Sequence, residues 1–267
     1  MHDLERSAPR LMHTRPFMTV VMAAGKGKRM LNPEMPKVMH KVNGKPLVDH
    51  VVDLALKLGS SPVIVIVGFK REIVMKHLTK TYGDSVMYVI QAEQLGTGHA
   101  VMQTEDQLKD FDGDVLVLSG DVPLLTAKTM QNLINSHHKS GAAMTILTAK
   151  VDDPTGYGRI VRMADGHVDR IVEHKDATPE ERSIDEINSG IYVFKWKELF
   201  DALHHITPEN SQHEYYLTDA FGYFVHHGLR VSAVLAKHFD EIRGVNTADQ
   251  LREAETALKS NNKVFGS

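Results

Sequence analysis

The sequence predicts an α/β fold with a doubly wound, mostly parallel, Rossmann-like sheet and a smaller β lobe. From residue 20 to residue 149, apolar β-branched runs alternate with segments of helical periodicity. The run at 62–68 is apolar at nearly every position, which is typical of a parallel strand covered on both faces. Repeated strand–helix units imply right-handed crossovers within one sheet. After Lys150 the alternation gives way to short strands, which indicates the second lobe.

The main unit is predicted element by element. Residues 20–37 are expected to form a first strand, a glycine-rich basic loop and the start of a helix. Apolar spacing then predicts helices at 46–58, 72–78, 97–108 and 126–138, and apolar runs predict strands at 62–68, 86–90, 115–118 and 143–149. Thr126 is the expected N-cap of the last of these helices.

The remaining third of the chain has shorter elements. A hairpin is predicted from strands 158–163 and 167–172, followed by a strand at 188–194, helices at 196–203, 215–227 and 247–258, and a strand at 230–235. We expect residues 1–16 to be a flexible extension and 17–260 to be the main domain, with a lobe at about 151–228 that could close over a ligand. Residues 261–267 are expected to be a frayed end.

Composition excludes several classes of protein. The chain has 267 residues, of which 42% are hydrophobic and 24% charged, and its net charge is -3, so a general nucleic-acid binder is not expected. It has no cysteine, which excludes disulfides, thiolate metal sites and a cysteine nucleophile and is compatible with a reducing cytoplasm. No apolar run approaches the ~18 residues that cross a bilayer. We therefore expect a cytoplasmic protein with small-molecule ligands, without nucleic-acid or membrane partners.

The loop after the first strand has the features of an anion site. Gly25 and Gly27 let a ligand approach the main chain, whose amide groups attract phosphate. The nearby cations are Lys26, Lys28, Arg29 and Lys37. Met30 stands where a dinucleotide fingerprint has its third glycine, and the Walker pattern is also absent. A basic turn after a buried strand is the alternative interpretation.

Two further tracts follow predicted strands and should lie at the same edge of the sheet, where ligands of open α/β sheets bind. Asp121 follows the strand at 115–118 and is suited to Mg²⁺, although a turn aspartate before a proline is the alternative. The glycines and glutamines of 91–98 can contact a nucleobase edge. The Asp112-Gly113-Asp114 sequence precedes its strand, so we expect it at the opposite edge, as a turn.

The chain resembles the sugar-phosphate nucleotidyltransferases, and among them the bacterial N-acetylglucosamine-1-phosphate uridylyltransferases. The resemblance covers about 19–247 and rests on the ordered tracts 23–30, 36–38, 91–98, 120–123, 152–160, 171–177, 186–190, 214–219 and 244–246. It implies Mg²⁺-dependent transfer of a uridylyl group from UTP to N-acetylglucosamine-1-phosphate, which yields a nucleotide sugar for cell-wall precursors and releases pyrophosphate. Met22, Lys28 and Ser119 depart from the usual family residues without changing the contacts named next.

The resemblance also implies roles for individual residues. Arg29 and Lys37 would be catalytic, and Asp121 and Asn246 would ligate Mg²⁺. The nucleotide site would comprise Ala23, Ala24, Gly25, Lys37, Gln91, Gly96, Thr97 and Asp121. The sugar site would comprise Gly158, Glu173, Asn188, Tyr216 and Thr218.

Other functions remain open at this point. The nearest alternative is a nucleotidyltransferase that uses glucose-1-phosphate with UTP or dTTP. A metal-dependent glycosyltransferase shares the layout but releases no pyrophosphate, and a nucleotide-sensing module would bind UTP without turnover. Family members often carry a C-terminal left-handed β-helix that transfers acetyl groups and forms the trimer. This sequence stops soon after Asn246; if that is its natural end, we expect no such domain, no acetyl transfer and a monomer or weak oligomer.

Overall fold

The structure is a computed structural model that describes residues 15–27, 30, 32 and 34–264, with side chains to residue 259. The strands are β1 (Phe17–Ala23), β2 (Lys41–Val42), β3 (Lys45–Pro46), β4 (Val63–Val67), β5 (Val86–Ile90), β6 (Asp114–Ser119), β7 (Met144–Lys150), β8 (Gly158–Arg162), β9 (Val168–Val172), β10 (Glu186–Lys195) and β11 (Val231–Leu235). The helices are α1 (Leu47–Lys57), α2 (Arg71–Tyr82), α3 (Thr97–Met102), α4 (Glu105–Leu108), α5 (Ala127–Ser140), α6 (Pro179–Arg182), α7 (Trp196–Leu203), α8 (Ala220–His226) and α9 (Ala248–Val264).

The main sheet has the strand order β11-β7-β10-β6-β1-β4-β5. Strand β1 runs parallel to β4 and β6, β4 is parallel to β5, and β11 is parallel to β7. Strand β10 is antiparallel to both of its neighbours, β6 and β7. The predicted α/β fold with a mostly parallel sheet is therefore confirmed.

Helices cover both faces of this sheet. Buried side chains of α1, α2 and α5 pack on one face, and those of α3, α4, α7 and α8 pack on the other. All five residues of β4, Val63–Val67, are fully buried. Each fully buried Val or Ile side chain contributes roughly 1.5–3 kcal/mol, so the apolar run of β4 is a major source of stability. The sheet therefore provides a rigid base for the loops at its carboxyl edge.

The lobe predicted over about 151–228 shares a strand with the main sheet. Strand β10 was expected within that lobe, but it lies between β6 and β7. Its first residues also pair with β8, and β8 pairs with β9, so the β8–β9 hairpin projects from the sheet through β10. Sequence periodicity cannot reveal this dual pairing, because it depends on which distant strands flank β10.

Some helix boundaries differ from the prediction. The helix expected over 97–108 is divided into α3 and α4 near Thr104, whose hydroxyl donates to the carbonyl oxygen of Val101 at 2.7 Å. The helix expected over 215–227 consists of a 3₁₀ turn, Leu217–Asp219, followed by α8. The Thr126 cap of α5 is confirmed, since its hydroxyl accepts from the amide of Thr129.

The region after the basic loop also differs. The helix start expected within residues 20–37 falls partly on residues 28, 29, 31 and 33, which lie outside the described residues. Residues 30, 32 and 34–36 are not helical, and a 3₁₀ turn at Lys37–Met39 follows. The β2–β3 hairpin was not predicted, although its turn contains Asn43 and Gly44, both with positive φ, as a type I′ turn requires.

The C-terminal helix packs near the basic loop. Leu251, Ala254 and Leu258 of α9 belong to an apolar cluster that includes Met30 and Val42. Helix α9 continues to Val264, into residues for which a frayed end was predicted. Of the predicted N-terminal extension, residues 1–14 lie outside the described part, whereas Arg15 pairs with Asp112 and Asp114. None of the described helices is long and apolar enough to cross a bilayer.

Candidate active site

A cavity of about 290 Å³ lies at the carboxyl ends of β1, β5 and β6. We call it the nucleotide cavity. It is lined by Met22, Ala23, Ala24, Gly25, Lys37, Val38, Gln91, Gln94, Gly96, Thr97, Ala100, Ser119, Asp121 and Glu214. Every residue predicted for the nucleotide site is among them. They meet because parallel strands end at a common edge of the sheet.

The glycines of the basic loop serve two different purposes. A Cβ on Gly25 would have nothing within 4 Å, so its exposed backbone faces open space beside the cavity. Gly27 has φ of 64°, and a Cβ there would lie 2.5 Å from Cβ of Lys37. Glycine at this position therefore allows the loop to pack against Lys37. Arg29, the other predicted catalytic cation, lies outside the described residues.

Gln91 is nearly fully buried at the base of the nucleotide cavity. Its amide nitrogen donates to the carbonyl oxygen of Gly96 at 3.0 Å and lies 3.2 Å from Nδ1 of His99. These contacts fix the orientation of the amide and leave its Oε1 as an acceptor for a ligand. An imide N–H on a pyrimidine base has the complementary donor.

Lys37, Asp121 and Asn246 converge at the end of β6. The Lys37 ammonium donates to Oδ2 of Asp121 and to Oδ1 of Asn246, the latter at 3.1 Å. The amide of Val245 donates to the carbonyl oxygen of Asp121 at 2.9 Å, which holds the segment containing Asn246 against β6. The structure thus brings together the predicted metal ligands and one predicted catalytic cation.

The side-chain oxygens of Asp121 and Asn246 are also suited to a hard divalent cation. A carboxylate and an amide oxygen converge on one positive charge, and such oxygens suit Mg²⁺, which keeps waters or phosphate oxygens as its other ligands. A Cβ on Gly244 would lie 3.2 Å from Oδ2 of Asp121, so glycine keeps the space beside this oxygen open. The donor set therefore fits the cation.

A second cavity of about 190 Å³ adjoins the first. We call it the sugar cavity. It is lined by Met22, Thr97, Ser119, Gly156, Tyr157, Gly158, Glu173, Asn188, Ser189, Gly190, Tyr192, Leu217 and Thr218. Met22, Thr97 and Ser119 line both cavities, so ligands in the two cavities would meet at this shared wall.

Predicted sugar residues line this second cavity, with one exception. Gly158, Glu173, Asn188 and Thr218 are present. Tyr216 is not among the lining residues, and its hydroxyl donates to Asp176 at 3.2 Å and accepts from Gln212 at 2.7 Å. The 3₁₀ turn that follows Tyr216 directs Leu217 and Thr218 to the cavity instead.

Glu173 is a partly buried carboxylate that lines the sugar cavity. The hydroxyl of Thr218 donates to its Oε1 at 3.2 Å. Burial nevertheless raises the pKa of Glu173 above its ordinary value, and the nearby carboxylates of Asp219 and Asp176 add to the increase. No cationic side chain of the described residues pairs with Glu173, which is therefore available to accept from ligand hydroxyl or amide groups.

A bulge in β10 shapes one wall of the sugar cavity. The register of β10 against β7 shifts between Asn188 and Tyr192, and Gly190 within the bulge has φ of 75°. The Asn188 amide donates to the Tyr192 hydroxyl at 2.7 Å, and its Oδ1 accepts from the amide of Gly190. Sequence reasoning missed Tyr192 and the bulge at Gly190, although the Ser189-Gly190 pair within an apolar strand is a signal for a bulge.

Hydrogen bonds join the loops of the two cavities. Leu95 accepts from the amide of Tyr215 at 2.8 Å, and the carbonyl oxygen of Tyr215 accepts from the amide of Gly98 at 2.8 Å. The hydroxyl of Thr97 accepts from the amide of Leu217 at 3.0 Å. The backbones that line the nucleotide and sugar cavities are therefore coupled directly.

Other acidic and histidine residues lie away from these cavities. Asp114 begins β6, at the opposite edge of the sheet, and Nε2 of His138 lies 2.8 Å from its Oδ2. The predicted position at the opposite edge is confirmed, but Asp114 is a buried strand residue rather than part of a turn. Among the described residues, no group of three or more His, Asp or Glu side chains is arranged to hold a metal.

Comparisons with known proteins agree with this geometry. The sequence model of a family described as nucleotidyl transferase matches residues 18–261. The bifunctional protein GlmU of Geobacillus sp. (strain WCH70) is 50% identical over 240 residues, which are 90% of this chain and 51% of the relative. The protein of the same name from Acetivibrio thermocellus is 47% identical over 244 residues, 91% of this chain and 52% of the relative.

A solved structure of a UDP-glucose pyrophosphorylase with UDP-glucose has a TM-score of 0.72 and 18% identity, and the match covers 91% of this chain and 98% of that one. At this identity the likeness concerns the fold. The chain spans about half the length of the curated relatives it matches.

Proposed function

The chain belongs to the nucleotidyl transferase family, and we propose that it transfers the uridylyl group of UTP to N-acetylglucosamine-1-phosphate, producing UDP-N-acetylglucosamine and pyrophosphate. The main supporting observation is the pair of adjoining cavities. One contains every predicted nucleotide residue, the other contains four of the five predicted sugar residues, and they meet at Met22, Thr97 and Ser119. Phosphoryl transfer requires the attacking and the leaving groups to be aligned, and a shared wall supplies that alignment.

The nucleophile is the phosphate of the sugar, which is mostly a dianion at neutral pH because its second pKa is about 6. No side chain has to remove a proton. The protein must instead hold two polyanions together and stabilise the charge on the leaving pyrophosphate. Lys37, which lines the nucleotide cavity, is suited to this role, and Arg29 is proposed to assist it.

Gln91 is proposed to select uracil. Because its amide nitrogen is already bonded to Gly96, its Oε1 faces the ligand as an acceptor. The N3–H of uracil can donate to this oxygen, whereas N3 of cytosine is itself an acceptor. A buried amide that would lose its partner discriminates strongly against the wrong base.

Glu173, Asn188, Thr218 and the backbone of Gly158 are proposed to bind the sugar. A carboxylate, an amide and a hydroxyl around a small cavity complement sugar hydroxyls and an acetamide group. Within the described part of the chain, no cation competes for the oxygens of Glu173. Tyr216 is proposed to act indirectly, by positioning the turn that contains Thr218.

The family generally depends on a divalent metal, and we propose Mg²⁺ with Asp121 and Asn246 as its protein ligands. When bound, the metal would neutralise charge on the phosphates. In this proposal Lys37 holds the α-phosphate, while the protein ligands orient the nucleotide relative to the sugar cavity. The cytoplasmic location and the monomeric or weakly oligomeric state remain predictions.

Pyrophosphate release tests the proposal. Purified protein is incubated with UTP, MgCl₂ and either N-acetylglucosamine-1-phosphate, glucosamine-1-phosphate or glucose-1-phosphate. We expect rapid release with the acetylated sugar and much slower release with the other two. Preference for glucose-1-phosphate would overturn the sugar assignment, and no release with any sugar would overturn the reaction.

A further inference from the structure

Lys37 occupies the position between the two proposed metal ligands. Its ammonium donates to Oδ2 of Asp121 and to Oδ1 of Asn246. These are the two protein oxygens that the proposed function assigns to the divalent cation. From this contact we infer that, in the ligand-free protein, the Lys37 ammonium substitutes for that cation, so that metal and UTP bind together rather than in sequence. This inference rests on the proposed metal site.

The surrounding structure keeps the lysine in this position. Lys37 begins a 3₁₀ turn, and Gly27 packs against its stem closely enough that a Cβ there would clash. Its side chain is 19% exposed and that of Asp121 is 11% exposed. An ion pair that is mostly shielded from water persists where a surface pair would exchange freely.

The backbones of the two proposed ligand residues are also held in place independently of the lysine. Asp121 is anchored through its carbonyl oxygen, which accepts from the amide of Val245 at 2.9 Å. The amide of Asn246 donates to Oε1 of Gln250 at 2.7 Å, at the start of α9. These two backbone contacts involve neither Oδ2 of Asp121 nor Oδ1 of Asn246, and the side-chain nitrogen of Asn246 donates to the carbonyl oxygen of Gly244 at 3.4 Å. Both oxygens therefore stay available to a cation, whether that cation is an ammonium or a metal.

An ammonium and a divalent cation cannot share these oxygens. Both are positive, and the site offers a single carboxylate, so a metal entering alone must displace the ammonium and leave it beside a divalent charge. A triphosphate changes this balance. Lys37 also lines the nucleotide cavity, where phosphate oxygens can accept from its ammonium and free Asp121 and Asn246 for the metal.

The consequence is positive coupling between the nucleotide and the metal. By linkage, if the nucleotide increases the affinity for the metal, the metal increases the affinity for the nucleotide by the same factor. In the absence of both, Lys37 prevents Asp121 from remaining as a mostly buried carboxylate without a partner, which would be costly. Lysine is suited to this exchange because its charge sits on a flexible stem.

Binding of Mn²⁺, monitored by the EPR signal of the free ion, tests this inference without requiring turnover. The wild-type protein is compared with K37M, which preserves the length of the stem and removes the charge. K26M is the matched control, because Lys26 is an exposed lysine of the same loop that does not contact Asp121 or Asn246. Circular dichroism verifies that each variant is folded.

Without nucleotide, we expect K37M to bind Mn²⁺ about tenfold more tightly than wild type, within the usual range for coupled sites, and K26M to resemble wild type. With a non-hydrolysable UTP analogue, wild type should gain about tenfold in Mn²⁺ affinity and K37M should gain much less. Adding D121N to K37M should abolish the tighter binding.

Equal Mn²⁺ affinities of wild type and K37M would overturn the inference, as would tighter binding that D121N does not remove. Equal gains in K37M and K26M would also overturn it, because they would reflect loop charge alone. These outcomes are independent of the pyrophosphate assay, so an incorrect inference about Lys37 is distinguishable from an incorrect assignment of the reaction.

Discussion

The nucleotide cavity and the sugar cavity adjoin, but they are constructed in different ways. The nucleotide cavity is formed where β1, β5 and β6 end, and most of its residues lie at the ends of those strands or in the segments that follow them. The sugar cavity is formed by a bulge in β10, the β8–β9 hairpin and a 3₁₀ turn. A site at the edge of a parallel sheet follows from strand order, whereas a site made of irregular segments depends on how those segments pack.

The difference has a functional consequence. Changes in the nucleotide cavity should affect binding or transfer of UTP, and changes in the sugar cavity should affect only the sugar phosphate. Residues that belong to both, or that join their backbones, should affect both substrates. The variants below test this division, from the largest expected effect to the smallest.

D121N should have the largest effect. It removes the carboxylate that contacts Lys37 and that is proposed to hold the metal. We expect kcat to fall about 10²–10³-fold, as when one group that stabilises transition-state charge is removed. The fold should be retained, because the carbonyl oxygen of Asp121 still accepts from Val245. Steady-state kinetics measure kcat, and thermal unfolding verifies that the fold is retained. Near-normal activity at saturating Mg²⁺ would contradict the metal assignment.

G96A should disturb both substrates, because Gly96 lines the nucleotide cavity and packs against the backbone of Tyr215, just before the 3₁₀ turn that lines the sugar cavity. Its φ is 115°, and a Cβ would lie 2.4 Å from the carbonyl oxygen of Tyr215. We expect a loss of about 1–3 kcal/mol in unfolding free energy from backbone strain, together with a higher KM for UTP and for the sugar phosphate.

G166A is the matched control for G96A. Gly166 has φ of 87° in the β8–β9 turn, and a Cβ there would have nothing within 4 Å. It should lose stability from strain but keep both KM values. If G96A raises only the KM for UTP, the proposed coupling between the cavities is wrong.

Q91L should raise the KM for UTP without changing the KM for the sugar phosphate, because Gln91 lines only the nucleotide cavity. Gln91 is nearly fully buried and has one acceptor left for the base. Removing a buried hydrogen-bond partner costs about 1–3 kcal/mol, so KM for UTP should rise about 5- to 150-fold. KM for the sugar phosphate should remain close to wild type. A comparable rise for both substrates would show that Gln91 supports the loop rather than the base.

E173Q should weaken binding of the sugar phosphate without changing the KM for UTP, and it should also alter the stability of the fold. Burial raises the pKa of Glu173, so the folded state binds its proton more tightly than the unfolded state does. In wild type, this group therefore destabilises the fold above its folded pKa, and stability is regained as pH falls through that value. We expect E173Q to have a higher Tm than wild type at pH 8, with a difference that shrinks on acidification.

The same variant should bind the sugar phosphate more weakly, while KM for UTP is unchanged. Glutamine can still accept from Thr218, which limits structural disturbance. A lower Tm for E173Q at pH 8, or an unchanged KM for the sugar phosphate, would contradict the role assigned to this carboxylate. Unfolding curves from pH 5 to pH 8 and two-substrate kinetics provide these measurements.

The smallest effect is expected for T218V, which preserves the shape of the side chain and removes its hydroxyl. Thr218 donates to Glu173 at 3.2 Å, so losing this bond should raise the pKa of Glu173 further. KM for the sugar phosphate should rise about 2- to 10-fold, as expected for one hydrogen bond. In the pH profile of kcat/KM for the sugar phosphate, the acidic limb should move to higher pH. An unchanged limb would show that protonation of Glu173 does not control binding of the sugar phosphate.

The same division explains what could be predicted from sequence. Gln91 and Asp121 follow apolar strands, so the rule for open α/β sheets is sufficient to place both residues at one edge of the sheet. Tyr192 and the bulge at Gly190 were missed, because the register shift depends on pairing of β10 with β7. Such pairing joins segments that are distant in the chain, and periodicity does not report it.

Two other outcomes have similar causes. The proximity of Lys37 to Asn246, which is 209 positions further along the chain, was implied only by the resemblance to known enzymes. Tyr216 directly precedes the 3₁₀ turn that lines the sugar cavity, but it does not line the cavity itself. Its hydroxyl is instead hydrogen-bonded to Asp176 and Gln212. Which side of a short 3₁₀ turn faces a ligand depends on such side-chain partners, which composition and spacing do not encode.

A crystal structure with UDP-N-acetylglucosamine tests the two-cavity account most directly. We expect the uracil N3–H to donate to Gln91, the acetylated sugar to contact Glu173, Asn188 and Thr218, and the diphosphate to cross the wall formed by Met22, Thr97 and Ser119. A product bound with its sugar outside the sugar cavity, or with its base away from Gln91, would contradict the account.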